Sequence, residues 1–318
     1  MSTLSRLPLP VKRIDLVISI LKIGKYMRLT LRQLQVFLAI ADHGTTGAAG
    51  QAVALSQSAS SAALQELETQ FGTRLFDRVG KRLVLNAHGR ALREPARALL
   101  VNAADLERQL GAGGALGQAP LRLRLAASTT IGNYLMPPRI AALLARAPQA
   151  EVELRIDNSA GVVAAVRRLD VDAGVIEGPC HERGLQVLPW QDDPLVLVAA
   201  ADAPSYWSLE ALRQARWLLR EPGSGTREAV EQVLWPHLHG VARTLQLGNT
   251  EAIKQAAIAG LGVACLSRHA LQEPLALGRL QVLRTPLPPL CRQLWLVRHP
   301  ARRWLPGLDV LLGMTPPG

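Results

Sequence analysis

The sequence predicts an α/β protein in three parts: a winged helix-turn-helix, a long linker helix, and a larger domain of two α/β lobes. Three observations carry this. The chain has 318 residues, too many for one typical domain. Residues 31–110 are patterned mostly at helical spacing. Beyond a Gly-rich break at 111–120, strand-like and helix-like runs alternate, as in a parallel sheet covered by helices.

The charge balance narrows the partners. The formal net charge is +11, which favours an anionic partner such as nucleic acid. Residues 71–97 hold seven basic and two acidic side chains. Three cysteines, Cys180, Cys265 and Cys291, are widely spaced and form no CxxC. They argue against a disulfide framework or structural zinc, and fit a cytoplasmic protein. No apolar run reaches the length of a membrane span, so no membrane partner is expected. Residues 1–27 read as an extension, either a mobile tail or an upstream start; Ile14 to Ile23 is interrupted by Asp15 and Lys22 and makes a poor signal peptide.

Residues 28–88 form the first domain. Leu31, Leu34, Leu38 and Ala41 give one helix an apolar face, and His43-Gly44 stops it. Thr45 caps a second helix, Thr46 to Ala54. Leu55 makes the turn into a third, capped by Ser56. Leu64, Leu67 and Phe71 turn to the core, while Gln57, Ser58, Ser61 and Gln65 present short uncharged hydrogen-bonding groups suited to base edges. This is a helix-turn-helix with a reading helix. Two strand-like runs, Arg74–Arg78 and Leu83–Asn86, then flank a tip holding Lys81 and Arg82. That is a wing, whose cations and Arg78 suit phosphates or a minor groove. Thr45 joins these residues as a DNA-contact candidate.

Residues 89–111 form the linker helix. Leu92, Ala96, Leu99, Ala103, Leu106 and Leu110 alternate spacings of four and three, a heptad seam that predicts a partner helix and hence a dimer. Pro95 predicts a bend or break near its start. Residues 112–120 read as a flexible linker.

The larger domain spans 121–314. Three strand-to-helix junctions place hydroxyls or amides beside unpaired helix N–H groups: Ser128-Thr129-Thr130, Gly223-Ser224-Gly225-Thr226-Arg227 and Asn249-Thr250-Glu251. Each alone suits an N-cap; three together predict a small-anion site. Arg227 either supplies charge to it or forms a surface ion pair. Glu177 ends a strand and either orients cationic neighbours, shares a proton with the ligand, or sits in a turn.

Residues 28–111 resemble the LysR-type transcriptional regulators. The likeness rests on Leu31-Arg-Gln-Leu-Gln-Val-Phe37, Leu55-Ser-Gln-Ser-Ala59, Leu67-Glu-Thr-Gln-Phe-Gly72 and Leu75-Phe-Asp-Arg78. It implies double-stranded DNA as partner, Gln57, Ser58 and Ser61 as base readers, and Ser56 as a backbone or phosphate contact. Many relatives carry proline where Ser58 stands and arginine where Ala62 stands, so the operator sequence does not follow from the likeness. Residues up to about 300 resemble the family's effector domain, a periplasmic-binding-protein-like fold. The strings Ser128-Thr-Thr-Ile-Gly-Asn-Tyr134, Ile176-Glu-Gly-Pro-Cys-His181 and Leu219-Arg-Glu-Pro-Gly-Ser-Gly-Thr-Arg-Glu228 resemble a sulfite-responsive subgroup. The resemblance implies a homodimer or homotetramer, RNA polymerase as a further partner, no cofactor, and a small effector such as sulfite or a related anion. An organic metabolite is the alternative effector.

Other classes fit poorly. No GxGxxG, Walker lysine or Ser/His/Asp spacing supports an enzyme. His237 and His239 have no third ligand nearby, so no metal site is expected. A stand-alone solute-binding protein would share the two lobes but would have no use for residues 31–86.

Overall fold

The structure is a computed structural model that describes residues 28–111 and 121–314. The extension and the 112–120 linker lie outside the described residues. The chain divides into two compact units inside the linker helix, between Ala103 and Ala104.

In the first unit, α1 (Leu31–His43) is capped by Thr30 and closed by Gly44 in the left-handed conformation. Next come α2 (Thr46–Ala52), capped by Thr45, and α3 (Gln57–Phe71), capped by Ser56. α2 ends two residues earlier than its pattern suggests. Ala54 adopts a positive φ of 54° there, turning the chain toward α3. Gly50 lets that turn fold back, since a Cβ on it would lie 2.7 Å from the Leu55 carbonyl oxygen. Leu34, Phe37, Ile40, Leu64 and Leu67 fill the core with Phe76. Two residues expected inside are exposed, Leu31 and Phe71. Each is a terminal residue of its helix, and Leu75 takes the core place beyond α3. The wing pairs β1 (Phe76–Val79) with β2 (Arg82–Leu85). Arg82 pairs with Val79, leaving Gly80-Lys81 as the tip.

α4 (Ala87–Gly111) runs through Pro95 without the expected break. Ala96 and Ala98 are buried just beyond the proline.

The second unit begins with β3 (Arg122–Ser128), a π-helical turn (Ile131–Leu135) and α5 (Met136–Arg146), where the pattern suggests one helix from Gly132. Then follow β4 (Glu151–Asp157), α6 (Ser159–Arg167) and β5 (Ala173–Glu177). The long strand β6 (Gln186–Ala200) leads to α7 (Leu209–Gln214), β7 (Arg216–Leu219), α8 (Gly225–Leu238), β8 (Arg243–Gln246), α9 (Thr250–Ile258) and β9 (Ala264–Ser267). The chain closes with α10 (Gln272–Ala276), β10 (Leu280–Val282), β11 (Leu290–Arg298) and α11 (Leu308–Leu312).

Two lobes result. In lobe I, β3 pairs in parallel with β4 and β5 over a core of Leu123, Leu125, Met136, Leu294 and Leu308. In lobe II, β7 and β8 are parallel, and Leu195, Leu197, Trp217 and Leu234 pack together. The expected parallel sheet is therefore only part of the arrangement. β6 and β11 are antiparallel to each other and cross between the lobes. β6 continues into lobe II, where it pairs with β9 and β10, and β11 returns to pair with β5.

Candidate functional site

The N-terminal site follows from the capping of α3. Ser56 Oγ accepts the Ala59 N–H at 3.1 Å and lies 3.0 Å from Ser58 Oγ. Thr45 is likewise occupied, accepting the Ala48 N–H at 3.2 Å. With Leu64 and Leu67 fixed inward, Gln57, Ser58, Ser61 and Gln65 stand exposed on the other side of the helix. Arg78, Lys81 and Arg82 are exposed and, among the described residues, make no ion pair with a carboxylate. Arg93 and Arg97 instead pair with Asp42, at 2.7 and 3.5 Å, so the unspent cations of this unit include the wing.

The heptad seam divides. Leu92 and Ala96 pack into the core of their own unit. Leu99 and Leu106 remain exposed, at 49% and 53%. Ala96 is wholly covered within one chain, so it cannot also face a partner; the surface open to a second helix starts at Leu99. The side chain of Leu110 lies outside the described residues.

The lobes meet around the predicted junctions. Thr130 stands in the first turn of its helix, and its N–H donates to Glu177 Oε1 at 2.6 Å. The Thr226 hydroxyl, at the start of α8, donates to Glu177 Oε2. Arg292 on β11 donates from Nη1 to Glu177 Oε2 at 3.2 Å and to Thr226 Oγ1 at 3.1 Å. Its Nε donates to Asp193 Oδ2 at 2.8 Å, and Ser267 donates to Asp193 Oδ1 at 2.6 Å. Glu177, Asp193 and Arg292 are only 1%, 0% and 4% exposed. Burial works against charge on Glu177. The Arg292 guanidinium, Thr226, the Thr130 N–H and Ser128 more than offset it, and the carboxyl titrates below its ordinary value.

Glu177 is therefore the centre of a buried network and orients the cation Arg292. A simple turn carboxylate does not describe it. Thr226 and the Thr130 N–H, expected to be open to a ligand, are bound to it. Arg227 points away: its Nε pairs with Glu231 at 2.8 Å, and its Nη1 reaches Gln246 at 3.1 Å. Of its two readings, the surface ion pair is what forms. Asn249 caps α9 through the Ala252 N–H at 2.7 Å, and Ser224 caps α8. The Thr129 hydroxyl reaches the Asp157 carbonyl at 3.5 Å. Ser128 is buried beside Glu177, close enough for its hydroxyl to favour the carboxylate's charge but without a well-formed hydrogen bond to it. Gly225 permits a close approach of the lobes, since a Cβ on it would overlap the Glu177 carbonyl oxygen.

Further contacts span the cleft. The Ala160 N–H donates to the Gly223 carbonyl at 3.1 Å, and Asn158 donates to Glu221 at 3.3 Å. Lys254 on α9 reaches the Tyr134 hydroxyl at 3.2 Å. Burial opposes the Lys254 charge, but Glu251 and Tyr134 raise its pKa above the ordinary value. Sequence reasoning missed Lys254 as a site residue and missed Arg292 and Asp193 altogether. A signal for Arg292 exists: it shares the inward face of β11 with Leu290, Leu294 and Leu296. A cation at a core-facing strand position needs a buried acceptor.

Residues 31–90 match the family model "Bacterial regulatory helix-turn-helix protein, lysR family", and residues 117–315 match "LysR substrate binding domain". The chain belongs to the LysR family of transcriptional regulators. This regulator is 46% identical over 276 residues to the HTH-type transcriptional regulator YeiE of Escherichia coli (strain K12), covering 86% of this chain and 92% of YeiE. A full-length OxyR variant from Pseudomonas aeruginosa has the same fold, with a TM-score of 0.66 at 24% identity over 91% of the regulator and 95% of that chain. The Synechocystis PCC6803 CcmR regulatory domain in complex with 2-PG aligns with a TM-score of 0.55 at 31% identity, covering 60% of the regulator and 96% of that domain. Its families and relatives are transcription regulators rather than enzymes. Among the described residues, no helix is long and apolar enough to cross a membrane.

Proposed function

We propose that the regulator binds its operator through α3 and the wing, and that a small oxyanion held between the lobes changes this binding. Sulfite is the first compound to test. The observation that carries the reading is that a helix N-terminus of one lobe and a hydroxyl of the other already converge on an anion here, the Glu177 carboxylate, beside the buried Ser128. Helix N-termini suit a compact anion because their N–H groups are already aligned. The backbone contact between Ala160 and Gly223 brings the lobes close together, which favours a small ligand over a large one. The related CcmR domain is in complex with 2-PG, which supports a small effector in this domain. Leu99 and Leu106 face a second copy, giving a cytoplasmic dimer or tetramer with two reading helices. RNA polymerase is then the partner through which an operator-bound assembly acts.

Calorimetry on the full-length chain tests the effector. Sulfite should release or absorb heat, and Thr129→Val with Ser128→Ala should weaken that binding while leaving ligand-free operator binding intact. Heat from an organic metabolite, with none from sulfite or related oxyanions, would overturn the oxyanion reading in favour of the metabolite alternative.

Gel shifts test the DNA surface. Gln57→Ala should cost about 1–3 kcal/mol on the operator and little on random DNA. Lys81→Ala with Arg82→Ala should weaken binding to all DNA and flatten its salt dependence. Equal losses on operator and random DNA for Gln57→Ala would remove its reading role.

A further inference from the structure

We propose that the Thr130 N–H, the Thr226 hydroxyl and the Arg292 guanidinium form a small-carboxylate site already filled by the chain's own Glu177, a built-in anion that fastens lobe II to lobe I. The three donors come from three different places. Thr130 belongs to lobe I, Thr226 opens α8 in lobe II, and Arg292 lies on a crossing strand. All three meet on one carboxylate, with Thr130 N at 2.6 Å and Arg292 Nη1 at 3.2 Å. A backbone N–H, a hydroxyl and a guanidinium are the groups that recognise a carboxylate in solution. Asp193 holds Arg292 from its other side, so the guanidinium stays in place whether or not Glu177 is present.

The arrangement also explains Gly225. The Glu177 carbonyl oxygen would lie 1.4 Å from a Cβ at that position, so α8 reaches the Glu177 carboxylate only because residue 225 has no side chain. While Glu177 occupies these donors they are closed to an external anion, which must bind beside them or displace the carboxylate. This holds whichever effector the regulator senses, and so goes beyond the sulfite reading.

The test empties the site. Glu177→Ala removes the carboxylate and leaves its donors; formate and acetate are the probes. Melting curves of the full-length chain at neutral pH should show the variant several degrees below the natural protein. Formate should raise the variant's Tm with concentration and leave the natural protein unmoved, with chloride at equal ionic strength ineffective. Adding Thr226→Val should weaken the rescue about ten-fold or more, because a hydrogen bond to a charged group is removed. A folded Glu177→Ala variant indifferent to formate, or equal shifts in both proteins, would overturn the proposal.

Should Glu177→Ala fail to fold, Glu177→Gln decides. It keeps the side-chain shape and lacks the charge, so its Tm should fall less in acid than that of the natural protein. Equal acid dependence would overturn the built-in anion. None of these measurements uses sulfite. A failed sulfite titration therefore leaves the formate result standing, and a failed rescue leaves the effector reading untouched.

Discussion

Replacing Arg292 with methionine should destabilise the regulator by about 3–5 kcal/mol at neutral pH, because it leaves buried carboxylates without their cation. Glu177 and Asp193 are both wholly enclosed, and Arg292 donates to each. The pH dependence should reverse as well. In the natural protein the folded Glu177 pKa lies below its ordinary 4.5. Its contribution to stability is present above the unfolded pKa and is lost as pH falls through the lower, folded value. Without Arg292, burial acts on Glu177 with its main counterweight gone, and its folded pKa should rise above the unfolded value. The contribution would then be present in acid and lost as pH rises. Urea midpoints for both proteins should differ most near neutral pH and converge only as pH falls below the ordinary Glu177 value of 4.5. A deficit that stays constant across that range would mean the loss comes from packing rather than from the carboxylates.

Gly225→Ala should be as damaging for a different reason. The new methyl group would lie 1.4 Å from the Glu177 carbonyl oxygen and 2.4 Å from Ser159 Oγ. The first of these is backbone at the end of a strand and cannot swing aside. Overpacking of this kind should cost about 3 kcal/mol, and the lobes should separate enough to abolish effector heat in calorimetry. Gly47→Ala in α2 is the matched control. Nothing lies within 4 Å of its Cβ position, so it should stabilise the helix by about 0.5–1 kcal/mol. A Gly225→Ala protein that melts with the natural one would show that the two lobes tolerate a wider approach.

The sequence made the N-terminal half legible because its signals are local. Thr45 and Ser56 cap the helices they precede, and Gly44 stops α1. The heptad seam was legible as spacing, but spacing does not say which surface a residue meets. Ala96 therefore joined a seam although it packs within its own unit.

The lobes were legible where strand and helix alternate and illegible where the chain crosses. β6 contains Pro189, Pro194 and the pair Asp192-Asp193, all of which weaken a strand pattern. Antiparallel pairing with β11 overrides them. Pro189 and Pro194 sit opposite Trp295 and Cys291, and Asp193 opposite Arg292. The partnership of Glu177 with Arg292 spans 115 positions. No local window contains it, so the sequence marks Glu177 as unusual without saying why.

The crossing strands also set an order in which the molecule can be completed during synthesis. Lobe II is a nearly continuous stretch of chain, since β6 enters it and β11 leaves it. Its packed residues run from Leu195 to Leu290. Lobe I is split: it starts at β3 but needs Leu294, Leu296, Leu308 and Leu311 to close its core. A ribosome delivering the chain from its N-terminus exposes the parallel strands β3, β4 and β5 long before their last neighbour arrives. During that interval lobe I depends on contacts far apart in sequence, which form slowly and leave apolar surface open to aggregation. The final stretch from β11 to α11 is thus the closing piece of the first lobe, and early termination before Leu290 would leave the second lobe nearly whole and the first unfinished.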